Sequence, residues 1–115
     1  MQKISPFLWF DGNAEEAVNF YVSVFPNAKI GKILRSSKAG PGPEGSVLTV
    51  SFELGGLQFT ALNGGSQFRF TEAVSFTVSC NDQAEVDYYW DCLSEDGEPR
   101  QCGWVKDRFG LFWQI

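Results

Sequence analysis

Not one histidine occurs in this 115-residue sequence. That absence removes Ser–His–Asp triads, Cys–His dyads and imidazole-bound metals together. Cys80, Cys92 and Cys102 are odd in number and lack CxxC spacing, so neither a structural zinc site nor a secreted disulfide framework is written here. They read as reduced thiols of a cytoplasmic protein. Cys80 and Cys102 are nucleophiles by type, but no evident cationic neighbour lowers their pKa, and inert buried thiols are expected. Glu53 ends a strand, where a solvent-facing carboxylate is expected rather than a general base. Gly55-Gly56 and Gly64-Gly65 lack the spacing of a Rossmann-like Gly-rich turn and read as tight turns. The remaining candidates are neutral hydrogen-bonders, Asn63, Ser75, Thr77 and Gln114, among Phe10, Phe59 and Phe112. Arg108 is added as a cation able to orient an anionic group at the mouth of a pocket. Aromatic walls with few placed polar groups are the ordinary form of a small-molecule site. Core packing is the plainer account of an aromatic content of 16%.

Strands, two helices and the loops between them must position these residues. Ile4 to Phe10 is an apolar, strand-like run. Asn13 with Glu16 forms a capping box, and Ala17, Phe20, Tyr21 and Val24 make one helical stripe that stops before Pro26. Ala28 to Ser36 reads as a strand, and 38–45 as a Gly/Pro loop. Ser46 to Glu53 and Leu57 to Leu62 form a hairpin turning at Gly55-Gly56. Ala73 to Cys80 alternates as a strand, Asp82 with Glu85 opens a second helix, and Val86, Tyr89, Trp90 and Leu93 repeat the stripe to Asp96-Gly97. Two or three short strands follow, around a turn at 107–110.

The halves match at an offset of 69 residues: Phe7 on Phe76, Asn13 on Asp82, Glu16 on Glu85, Phe20-Tyr21 on Tyr89-Trp90 and Val24 on Leu93. Strand, cap and stripe agreeing together indicate an internal duplication. Strand parity then assigns faces. Val74, Phe76 and Val78 belong under the second helix, with Ser75, Thr77 and Ser79 opposite. By transfer, Phe7 and Trp9 belong under the first helix, with Pro6, Leu8 and Phe10 toward the cavity. Phe59, Ala61 and Asn63 share one face, as do Phe112 and Gln114.

The doubled unit resembles the vicinal-oxygen-chelate (glyoxalase/bleomycin-resistance) superfamily. The segments FLWFDGNAEEAVNFYVSVFPNAKI (from Phe7), GPGPEGSVLTVSFELGG (from Gly40), FTALNGG (from Phe59), EAVSFTVSCNDQAEVDYYW (from Glu72) and QCGWVKDRFGLFWQI (from Gln101) are similar to its PhnB-like branch. That branch is often named 3-demethylubiquinone-9 3-methyltransferase domain. The resemblance implies an α+β fold in which two βαβββ-like repeats, about 4–65 and 73–115, form a glyoxalase-like curved mixed-sheet cup with helices outside. One domain over 1–115 is expected, and a homodimer. Members usually continue past the last strand into a Pro-containing helical tail. Metal-dependent relatives use four cup-lining ligands, and these fall on Pro6, Ser75, Gln114 and, approximately, Ala61. Such a set implies no metal, and no cofactor is expected.

A net charge of −5 with no basic run excludes gripping nucleic acid or an anionic membrane surface. Met1-Gln2-Lys3 running straight into a strand indicates neither a signal peptide nor a membrane span. The expected function is therefore binding of an unidentified small molecule. A metal-independent enzyme using a carboxylate or thiol base, and a purely structural domain with a filled cup, are the alternatives.

Overall fold

The computed structural model describes residues 2–40 and 42–115. Met1 and Pro41, which belong to the expected leader-free start and the Gly/Pro loop, lie outside the described residues. The chain divides into two compact units, the first ending at Phe68 and the second running from Arg69 to Ile115.

In the first unit, β1 (Phe7–Phe10) precedes α1 (Ala14–Val24), then β2 (Ala28–Arg35), β3 (Val47–Leu54) and β4 (Leu57–Asn63). The sheet order is β1-β4-β3-β2, with β1 parallel to β4 and the other pairs antiparallel. The hairpin turns at Gly55 and Gly56 with φ 56° and 90°. Two consecutive positive φ angles are what a two-residue type I′ turn needs. α1 buries Ala14, Ala17, Val18, Tyr21 and Val24. Tyr21 stacks on Phe52, and Phe52 on Phe59, with centroids 6.2 and 5.0 Å apart. Each such side chain contributes roughly 1.5–3 kcal/mol of burial. The helix stops where Phe25, preceding Pro26, turns extended.

The start of α1 differs from the capping box. Asn13 makes no side-chain cap; Asn63 Oδ1, at the end of β4, accepts instead from Ala14 N at 2.8 Å. An orphan helix N–H is satisfied by a long-range partner that no local pattern encodes.

The second unit repeats the plan with β5 (Phe76–Thr77), α2 (Gln83–Ser94), β6 (Glu98–Pro99), β7 (Trp104–Lys106) and β8 (Phe112–Gln114). Its order, β5-β8-β7-β6 with β5 parallel to β8, is the order of the first sheet. Asp82 caps α2 by accepting from Glu85 N at 2.9 Å. The helices begin at Ala14 and Gln83, on the offset of 69 read from the sequence. The stripes are rotated slightly: Tyr21 and Tyr89 are buried, whereas Phe20 and Trp90 are half-buried. β5 is shorter than the alternating run 73–80 because β8 offers a ladder to only Phe76 and Thr77. Val74 is consequently 66% exposed rather than packed under α2.

Parity transferred between repeats fails in β1. Leu8 and Phe10 are buried while Phe7 is 62% exposed. Leu8 pairs with Ala61, whose neighbour two residues back, Phe59, lies in the Tyr21–Phe52 stack. Leu8, Phe10, Phe59 and Ala61 thus face α1, and Phe7 and Trp9 face away. In β5, by contrast, Phe76 pairs with Trp113 and touches its ring. Trp113 lies opposite Val105, which is fully buried in the α2 layer. Helices and strands of the two repeats therefore follow different offsets. A one-residue slip inverts every side chain.

Candidate functional site

Period-two alternation in the second sheet sends Val105 and Trp113 to the helix side and leaves Trp104, Lys106, Phe112 and Gln114 on the open face. Thr77 joins them by pairing with Gln114, and Ser75 Oγ accepts from Gln114 Nε2 at 2.9 Å. The second layer comes from the β6–β7 hairpin. Arg100 N donates to Trp104 O at 2.8 Å, and the Arg100 guanidinium lies 5.2 Å from the Phe112 ring centroid. Glu72 holds that guanidinium at 2.9 Å and Glu98 at 3.5 Å, with Lys106 a further 3.6 Å contact of Glu98. Glu72, Arg100, Gln101, Trp104 and Phe112 line a cavity of about 510 Å³. Its floor is aromatic and its rim is an ion-paired cation. Such a cavity falls in the range of small-molecule sites.

The electrostatics suit holding more than proton transfer. Glu72's own backbone N–H, and then Arg100, hold its carboxyl below the ordinary range. A carboxylate depressed in this way is a weak base near neutral pH. Its stabilising effect is present above the ordinary carboxylate range and is lost as pH falls through the lowered value. Acidification should therefore release Arg100 from Glu72, seen as a shift of the Arg100 Nε–H resonance. Burial, then Glu85 and Asp82, pushes the Cys80 thiol up. Iodoacetamide near neutral pH is expected to label the exposed Cys102 well before Cys80.

Of the residues chosen from sequence, Ser75, Thr77, Phe112 and Gln114 share the open face of the second sheet. Phe10, Phe59 and Asn63 belong to the first unit. Phe10 and Phe59 are corrected to the α1 core. Asn63 lines a different cavity, and both ends of its amide are engaged, Oδ1 by Ala14 N and Nδ2 with Val47 O at 3.0 Å. Arg108 is drawn toward the end of α2, 3.8 Å from Glu95 and 3.9 Å from Asp96, rather than over a cavity mouth. Glu53 accepts from Gln58 Nε2 at 2.7 Å in an exposed cross-strand pair. Arg100, Gln101 and Glu72 were not singled out in the sequence. The alternation of Glu98 and Arg100 against Trp104 and Lys106 was the available signal.

The donor set for a divalent ion is poor. Pro6 and Ala61 carry no side-chain donor, Ala61 faces α1, and Ser75 and Gln114 bond to each other. These residues do not fit the metal of the glyoxalase-type site.

A family model described as 3-demethylubiquinone-9 3-methyltransferase matches residues 2–115. A Bacillus cereus structure described as a putative 3-demethylubiquinone-9 3-methyltransferase, PhnB protein, is 38% identical. It superposes with a TM-score of 0.85 over 98% of this chain and 97% of that one. A Pseudomonas aeruginosa protein shares the fold at 20% identity, TM-score 0.76, over 98% and 95% of the two chains. A mutant of the fosfomycin resistance protein FosX from Listeria monocytogenes, complexed with Mn(II) and dihydroxypropylphosphonic acid, does so at 18% identity. Its TM-score is 0.64 over 98% and 90%. No curated protein matches the chain. Among the described residues, two helices and two mixed four-stranded sheets make this an α+β protein of the glyoxalase/bleomycin-resistance fold.

Proposed function

The chain belongs to the PhnB-like family described as 3-demethylubiquinone-9 3-methyltransferase, and from that premise we propose a small-molecule binding protein that works without a metal ion or cofactor. The open face of the second sheet is its site. The observation that carries this reading is the cavity walled by Trp104 and Phe112, with Arg100 fixed at its rim by Glu72 and Glu98. An aromatic floor beside a positioned guanidinium suits a planar or apolar ligand bearing an oxygen acceptor or anionic group. The carboxylate nearest the cavity, Glu72, is held low rather than raised, which favours a binding role over general-base chemistry. The methyl transfer in the family description is not adopted. Among the described residues each unit has a single parallel strand pair, unlike the parallel Rossmann-like sheet that such chemistry ordinarily uses.

Anilinonaphthalene sulfonate, an anionic aromatic dye, is a suitable probe. Its fluorescence should rise on binding, and Arg100→Gln or Trp104→Ala should weaken its affinity by about tenfold, the equivalent of ~1.4 kcal/mol. Equal binding by wild type and both variants would remove the site from this face.

The exposed Ile4, Phe7 and Phe68 leave apolar surface in the first unit. Together with the family, they support a homodimer. Sedimentation should give twice the 12.8 kDa chain mass; a clean monomer at micromolar concentration would refute this. Among the described residues no helix is long and apolar enough to cross a membrane. The free cysteines support a cytoplasmic location, and the net charge of −5 weighs against nucleic acid as a partner.

A further inference from the structure

A second cavity, of about 630 Å³, lies in the first unit between the end of β1, the start of α1 and the β2–β3 loop. Its main wall is Trp9, whose orientation is fixed three ways. The indole N–H donates to Gly65 O at 2.9 Å, and Phe68 meets the ring edge-on at 4.9 Å. Gly64 packs so closely on the ring that a side chain there would collide with it. Val47 and Leu62 extend the apolar wall, and Glu15 is the single charged side chain among the described lining residues. No lysine or arginine is among them. The N-terminus of α1 would ordinarily favour an anion. Here its first N–H is already taken by Asn63, and its first turn carries Glu15 and Glu16.

We propose that this cavity binds a small organic cation, a protonated or quaternary amine, with its charge shared between the Trp9 indole and the Glu15 carboxylate. An indole is the best aromatic partner for a cation, and a wall held rigid in the free protein loses little entropy on binding. The apolar walls take the organic part of the ligand. Its lining shares no residue with the second-unit cavity, and the proposal does not depend on that reading.

Titration of the full chain with choline and with benzylamine, at matched ionic strength, tests the proposal by two-dimensional amide NMR. The amides of Gly64 and Gly65 and the Trp9 indole N–H should shift, with a Kd in the millimolar range or tighter. Glu15→Gln should weaken binding by about fivefold, while Glu16→Gln, on the same helical turn but outside the lining, should leave it unchanged. Glu15 is exposed, so this variant keeps the fold; Trp9→Leu, with its spectrum checked for dispersion, should weaken binding at least as much. Three results would overturn the idea. They are benzyl alcohol binding as tightly as benzylamine, benzoate binding better than either, and no lining resonance moving at about ten times a millimolar Kd.

Discussion

Asp107→Ala is expected to lower the stability of the protein by about 4 kcal/mol. Asp107 is 2% exposed at the turn between β7 and β8. Its Oδ1 accepts from Phe109 N at 2.8 Å and Leu111 N at 3.0 Å, and its Oδ2 accepts from Trp113 Nε1 at 2.8 Å. The carboxylate thus ties the turn to the strand that follows and fixes Trp113, the largest side chain of the second unit's helix-side layer. Alanine leaves three donors without their acceptor, each at roughly 1–3 kcal/mol, softened where water enters. Asp107→Asn separates the contributions. Its oxygen can serve the two backbone N–H groups, but its amide then points a donor at the Trp113 indole N–H, and a loss of about 2 kcal/mol is expected. Urea unfolding followed by tryptophan fluorescence measures both. If both variants fell within about 0.5 kcal/mol of wild type, the range of ordinary surface changes, Asp107 would be no clamp.

The sequence pointed to Asp107 only as the start of a turn at 107–110, and the reason is physical. A side chain that serves neighbours two, four and six positions away has no periodicity to betray it. Periodic information was legible: both helices, the I′ hairpin at Gly55-Gly56, and the duplication that leads to matching sheet orders. Face assignment was legible where a strand spoke for itself, as with Phe112 and Gln114. It failed where one repeat was used to read the other, because the strand-to-helix connections differ in length. That transfer sent Phe10 toward the cavity although it lies in the α1 core; Phe59 was placed there by sharing a strand face with Ala61 and Asn63, and it stacks on Phe52 instead. Long-range polar partners were illegible in principle. Asn63 caps a helix 49 positions upstream, and Arg100 finds Glu72 across 28 positions. Neither distance carries a local signal, since the pairings exist only once β4 and β6 are in place.

Gly97→Ala should be nearly as damaging, and for a reason the helix-end pattern conceals. Asp96-Gly97 looks like a helix stop in which glycine adopts the left-handed conformation. The left-handed residue is in fact Asp96, with φ 59°. Gly97 is required by its surroundings: a Cβ there would press into Lys106 O and stand 3.1 Å from Asp107 Cα. Those are backbone atoms of β7 and its turn, which cannot swing aside as a side chain would. Overpacking of this kind costs about 1–3 kcal/mol, and the upper end is expected here because the displaced backbone carries the Asp107 clamp. The two lesions should accordingly be non-additive. In an Asp107→Ala background, Gly97→Ala should cost visibly less than in wild type, since the clamp it disturbs is already gone. Asp96→Gly should act in the opposite direction from Gly97→Ala. It relieves a non-glycine residue from the left-handed region and is expected to be neutral or stabilising, by up to about 1 kcal/mol. Denaturant midpoints of the three variants decide between the two readings of this helix end. If Gly97→Ala were harmless and Asp96→Gly destabilising, the close approach of Gly97 to β7 would not be what fixes glycine at this position.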